Sequence, residues 1–188
     1  MFVSGGSIRD SIDEGSITMG QLLTELPFSN LIVTSELSGS DILAALEHGI
    51  SLYPEPAGQF IHVSGIRIEF DPELPPGQRI TEITKADGAV FDYETIYTVA
   101  TIEFLAIGGD GFDIFNENLI YFGSDIEALS AYLATNPYIG EEGEGRVRTI
   151  LPTETTEEHS PNNTALVVIN GIVLFVIAVF FAISTLKK

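Results

Sequence analysis

Two short segments hold the residues best suited to chemistry. One is Gly108-Gly109-Asp110-Gly111-Phe112, preceded by Phe104-Leu105-Ala106; the other is Ser4-Gly-Gly-Ser-Ile-Arg9. Between them they offer aromatic faces, a carboxylate and an arginine. These types can stack on a flat ring, accept hydrogen bonds from hydroxyls and hold an anion. A planar guanidinium can donate two parallel hydrogen bonds to a phosphate. Gly108, Gly109 and Gly111 let the backbone turn tightly and let a ligand approach closely.

Equally informative is the chemistry that the chain does not provide. Paired-metal hydrolysis of a phosphate ester needs several His, Asp and Asn ligands converging on two ions. The three histidines are His48 on a predicted helix, His62 on a predicted strand and His159 in a polar stretch, and none lies in a ligand-type spacing. Each reads as a surface or partly buried side chain. No nucleophile-elbow pattern is present, and zero cysteines excludes thiol nucleophiles, zinc thiolates and disulfides. The expectation is a binding chain with no catalytic residue, no metal ligand and no cofactor of its own.

The elements that must position these residues alternate between helix and strand. Thr18 caps a predicted helix over Met19–Leu26, which Pro27 ends. Leu31–Leu37 reads as a strand, and Ser38–Ser40 offer caps for a helix with Ile42, Leu43, Leu46 and Ile50 on one face. Ile61–Phe70 reads as one alternating strand, followed by a proline-rich turn over Asp71–Gly77. Arg79–Thr84 and Ile96–Thr101 read as further strands. Asp125–Thr135 reads as a helix capped by Ser124, with Ile126, Leu129 and Leu133 inward. The order lacks the strict repeat of a doubly wound sheet, so the fold class is α+β, a mixed-sheet domain covered by helices.

Beyond Arg148 the composition changes. Residues 149–164 are polar, punctuated by proline and without apolar period, as in a spacer. Asn162-Asn163-Thr164 matches the glycosylation acceptor pattern. Leu151-Pro-Thr-Glu154 departs from a cell-wall sorting signal at Glu154. Residues 165–186 carry no charge, and roughly 20 apolar residues suffice to cross a bilayer as a helix. Lys187 and Lys188 favour the cytoplasmic side. They also argue for a retained helix over a lipid anchor exchanged for a cleaved tail. The expected organisation is a domain over 1–148, a spacer over 149–164, a transmembrane helix over 165–186 and two cytoplasmic lysines. The domain would then lie outside the cell, and a membrane would be one of its partners.

Six of the eight basic residues and all 27 acidic ones precede Ala165. So acidic a surface repels nucleic-acid polymers. An anionic small ligand would need a local positive site, which Arg9 could supply. Met1-Phe2-Val3 runs directly into the first motif without a leader pattern. The chain therefore reads as a fragment whose N-terminal portion is missing.

Six segments in order carry a resemblance: SGGSIRDSID from Ser4, GSITMGQLLTELPF from Gly15, LSGSDILAALEHGI from Leu37, GQFIHVSGIRIEFDP from Gly58, YTVATIEFLAIGGDGF from Tyr97 and GRV from Gly145. Together they resemble the C-terminal domain of the 5'-nucleotidase family, which includes UDP-sugar hydrolases and 2',3'-cyclic-nucleotide phosphodiesterases. The resemblance covers Ser4–Phe115 and extends more weakly to Arg148. It implies that Phe28 and Phe104 clamp a base, that Asp110 in its Gly108-Gly109 turn accepts from ribose hydroxyls, and that Arg9 holds phosphate. Ser4 takes the place where many relatives carry Asn; its shorter side chain reaches less far towards phosphate. The resemblance also implies an upstream metallophosphoesterase domain with two divalent metals, against which this domain rotates to deliver substrate. The reading that follows is the substrate-recognition part of a membrane-anchored surface 5'-nucleotidase acting on extracellular nucleotides. The alternatives are a stand-alone membrane-anchored nucleotide-binding module and a structural surface domain that no longer binds ligand.

Overall fold

The computed structural model describes residues 1–115, 118–136 and 145–150. Three of its helices begin with the same local device. In α1 (Met19–Glu25), α2 (Gly39–Gly49) and α4 (Asp125–Thr135), a hydroxyl at the N-cap accepts from the backbone three residues on. The side chain of that third residue accepts in return from the N-cap N–H, forming a capping box. The pairs are Thr18 with Gln21, Ser38 with Asp41 and Ser124 with Glu127. A one-turn helix, α3 (Glu103–Ala106), leads into a tight turn over Gly109–Gly111.

Among the described residues the strands form three small sheets. β2 (Leu31–Ser38) lies between β6 (Ile96–Ile102) and β7 (Ile120–Ser124), both antiparallel to it. β4 (Ile66–Phe70) lies between antiparallel β5 (Ile80–Lys85) and parallel β8 (Val147–Thr149), so this is the sheet that mixes directions. β1 (Phe2–Ser4) pairs with β3 (Ile61–Val63). The α+β class holds, with the strands divided among sheets.

The single strand expected over Ile61–Phe70 is in fact two strands in different sheets. Ser64 and Gly65 separate them, and Gly65 adopts a φ of +85°, the left-handed region that glycine enters without a Cβ clash. The alternation also changes phase there. Buried Ile61 and Val63 are odd-numbered, whereas buried Ile68 and Phe70 are even-numbered. One strand cannot bury both sets on one face.

The core lies between α2 and the sheets, with Phe2, Leu46, Ile61, Ile102, Leu105 and Phe112 almost wholly buried. Each such side chain contributes roughly 1.5–3 kcal/mol by leaving water. The C-terminal end of α2 is tied down by an arginine. Arg79 donates to the carbonyls of Ile50 at 2.9 Å, Ser51 at 3.0 Å, Tyr53 at 2.8 Å and Leu74 at 3.0 Å. In return the Glu47 carboxylate accepts from the backbone N–H of Arg79 at 3.0 Å and of Ile80 at 2.6 Å. Carbonyls that a helix end leaves unpaired are thereby satisfied away from water.

The expected membrane span over 165–186 and nearly all of the expected spacer lie outside the described residues. Among the described residues, no helix is long and apolar enough to cross a membrane.

Candidate functional site

Phe28 and Phe104 are 58% and 42% exposed, whereas Phe2, Phe70, Phe91 and Phe112 are buried. Their positions follow from register. β2 and β6 run antiparallel with Ile32 opposite Ile102. Phe28 stands four residues before Ile32, and Phe104 two residues after Ile102. Both rings therefore flank the same end of one strand pair, although 76 positions separate them in sequence. The turn that presents Phe28 is anchored. Ser29 takes a φ of +48°, Asn30 N–H donates to Asp125 Oδ2 at 3.2 Å, and Asp125 N–H donates back to Asn30 O at 2.9 Å. Burial raises the carboxyl pKa of Asp125, partly offset by backbone donors from Ile126 and Asn30.

Phe104 leads directly into the glycine turn. A Cβ built on Gly109 would stand 2.7 Å from two carbons of the Phe104 ring and closer still to the Phe104 carbonyl oxygen. Only glycine fits there, because the ring lies on its backbone. Gly108 and Gly111 have φ of +96° and +82°, and Asp110 between them has +52°. A non-glycine residue in that region is uncommon, though Asp tolerates it better than most. The Asp110 carboxylate points towards Gly58. A Cβ there would meet its two oxygens at 3.8 and 4.0 Å and Gly6 Cα at 3.6 Å.

Gly6 connects this edge to Arg9. Gly6 N–H donates to Gly58 O at 2.8 Å, and Arg9 Nη1 donates to Gly6 O at 3.4 Å. Arg9 N–H donates to Glu25 O at 2.9 Å, fixing Arg9 on the last turn of α1, three residues before Phe28. The guanidinium is exposed, and among the described residues no carboxylate lies within ion-pair reach of it. Ser4 is fully buried, with Oγ 2.9 Å from Ser7 Oγ. Its hydroxyl is turned into the fold, and a phosphate contact through it would require β1 to move.

Hydrogen bonds thus link Arg9, Gly6 and Gly58, the Asp110 carboxylate faces Gly58, and Phe104 packs on Gly109, with Phe28 at the same end of the β2–β6 pair. This edge offers two exposed rings, one carboxylate and one uncompensated cation in a strongly acidic chain. Rings can stack on any base, a carboxylate accepts from a diol, and a guanidinium donates to phosphate. Among the described residues, no group of three or more His, Cys, Asp or Glu side chains is placed to hold a metal.

Sequence reasoning missed two side chains beside the site. His48, partly buried on α2, has Nε2 2.8 Å from Asp110 O and its ring edge-on to Phe112 at 4.7 Å. The partners are 62 residues apart, and no local pattern announces the contact. Glu25 is 1% exposed, its Oε2 has no hydrogen-bond partner among the described residues, and its carboxyl pKa is pushed up to about 7 by burial first and Asp10 second. A signal for Glu25 did exist. It falls three positions after Leu22 and one before Leu26, on the apolar stripe of α1.

Comparison with known proteins gives consistent matches. The model of the 5'-nucleotidase C-terminal domain family matches residues 1–117. A 5'-nucleotidase of Diplobatis ommata is 36% identical over 156 residues, which is 76% of this chain and 27% of that protein. The human 5'-nucleotidase is 33% identical over 159 residues, 78% of this chain and 28% of that protein. This chain therefore spans little more than a quarter of either relative. Among solved structures, the 5'-nucleotidase precursor of Thermus thermophilus superposes with a TM-score of 0.76 at 37% identity, over 80% of this chain and 31% of that one.

Proposed function

The chain belongs to the 5'-nucleotidase C-terminal domain family, and from that premise we propose that it is the substrate-recognition part of a surface phosphohydrolase acting on extracellular nucleotides. In this reading Phe28 and Phe104 stack on the base, Asp110 accepts from the ribose hydroxyls and Arg9 donates to the phosphate. The observation that carries it is convergence. Two exposed rings flank one end of the β2–β6 pair, and hydrogen bonds join Arg9 to Gly6 and Gly6 to Gly58, the residue that the Asp110 carboxylate faces. Phe28 and Phe104 are more exposed than core phenylalanines, and among the described residues Arg9 forms no surface ion pair.

Hydrolysis would belong to an upstream metallophosphoesterase domain, where two divalent metals would supply the chemistry. The donor set for such metals is not found among the described residues of this chain. Anchoring is part of the same proposal. The uncharged run 165–186 followed by Lys187 and Lys188 supports a single span, with the domain outside and the tail cytoplasmic.

Titration calorimetry of the chain with adenosine and AMP tests the binding reading. Saturable heat with both ligands, and tighter binding of AMP, is the expected outcome. No heat with either would overturn it.

A further inference from the structure

We infer that His48 is the positioning residue for the sugar contact: it grips the main chain of Asp110 and so fixes where that carboxylate stands. The inference rests on the nucleoside-binding reading given above and extends it to a residue the ligand does not touch.

The Asp110 turn needs an external hold. Its own hydrogen bonds, Gly111 N–H to Gly108 O at 3.2 Å and Phe112 N–H to Gly109 O at 3.1 Å, close the loop around Asp110. Neither engages the Asp110 peptide oxygen. That oxygen accepts from His48 Nε2 at 2.8 Å, which requires the proton on Nε2. Asp110 is at φ +52°, a conformation that persists for a non-glycine residue only where surrounding structure enforces it.

The imidazole is itself held in place. It packs edge-to-face with the ring of Phe112, which is 2% exposed. A Cβ at Gly111 would come within 3.1 and 3.2 Å of two imidazole atoms, so the turn lies directly against it. The helix end that carries His48 is equally fixed. The carbonyl of His48 accepts from Ser51 Oγ at 2.7 Å and from Gln59 Nε2 at 2.8 Å, and Arg79 holds the carbonyls that follow. Gln59 is next to Gly58, the residue that faces the Asp110 carboxylate. One helix end therefore sets both the turn that presents the carboxylate and the backbone opposite it.

This arrangement separates positioning from general stability in a way that two ligands can read. His48→Phe keeps a ring against Phe112 and removes the N–H. It is expected to weaken adenosine about fivefold, which is about 1 kcal/mol, and to leave 2',3'-dideoxyadenosine, which lacks the ribose diol, unchanged. His48→Gln, whose amide can donate to the same carbonyl, is expected to restore adenosine binding. In an Asp110→Ala background, His48→Phe is expected to change nothing further. Calorimetry on the full chain reads all of these. The imidazole 15N signals of the unaltered chain need no variant: adenosine should shift those of His48 and the dideoxy ligand should not.

Equal weakening of both ligands by His48→Phe, no weakening of either, or imidazole signals indifferent to adenosine would overturn the inference. If the unaltered chain binds both ligands equally or not at all, the sugar contact itself falls, and this inference with it. That failure is recognised before any substitution is made.

Discussion

Replacing Phe104 by alanine separates a binding ring from a core ring. At 42% exposure Phe104 gives up only part of its surface on folding. Full burial of such a side chain stabilises by up to about 3 kcal/mol, so truncation here should destabilise by roughly 1–2 kcal/mol. Phe112, at 2% exposure in the same segment, is the internal standard, and its truncation should cost about 3–5 kcal/mol. Binding should show the reverse ranking in emphasis. Losing one stacked ring removes about 1–3 kcal/mol of base affinity, a rise in Kd for adenosine of roughly 5- to 150-fold. Calorimetry gives the affinity and urea unfolding the stability, both on the full chain. A Phe104→Ala chain that binds adenosine as well as the original would refute the clamp assignment, whatever its stability.

Three further outcomes are expected. Arg9→Ala should weaken AMP about tenfold, as expected for a charge-assisted hydrogen bond at an exposed site, and leave adenosine alone; calorimetry with the two ligands checks it, and equal losses would count against a phosphate role. Glu25, whose carboxyl is held near pKa 7 when folded against an ordinary 4.5, binds its proton more tightly in the folded state. Its contribution to stability is therefore greatest below about pH 4.5 and falls as pH rises to about 7, by on the order of 3 kcal/mol. Unfolding at pH 5 and pH 8 should show Glu25→Gln losing that much less than the original chain, and parallel behaviour of the two would remove the explanation. Arg79→Met should destabilise by on the order of 3 kcal/mol, because it strands carbonyls at the end of α2 away from water; a change in urea unfolding below about 1 kcal/mol would show that the helix end is held by other means.

What could be read in advance was whatever is written locally. The starts of α1, α2 and α4 are legible because a hydroxyl and an acceptor three residues later act within one turn. Pro27 marks the stop before Phe28. The glycine turn and Arg9 stand out as motifs. β1, β7 and β8 are three to five residues long and exist through partners far along the chain, as when Phe2 pairs with Val63 or Glu69 with Arg148, so no window of sequence predicts them. Ile61–Phe70 looked continuous because its apolar residues are dense; the phase slip at Ser64-Gly65 was the readable warning. The grip of His48 on Asp110, the placing of Gly58 beside that carboxylate, and the arginine at the end of α2 all join residues dozens of positions apart. Their signals lie in the tertiary structure alone.

The seating of Phe104 on bare glycine backbone makes the two rings of the proposed clamp unequal. A ring packed against main chain on one side has fewer rotamers open to it, so less disorder remains there to be quenched on association. Phe28, more open to water and set on a turn at its strand's entrance, still has motion to lose. In the proposed clamp the entropic toll of capture therefore falls on the Phe28 side, and stiffening the loop around Ser29 is where affinity could be raised without adding a single contact.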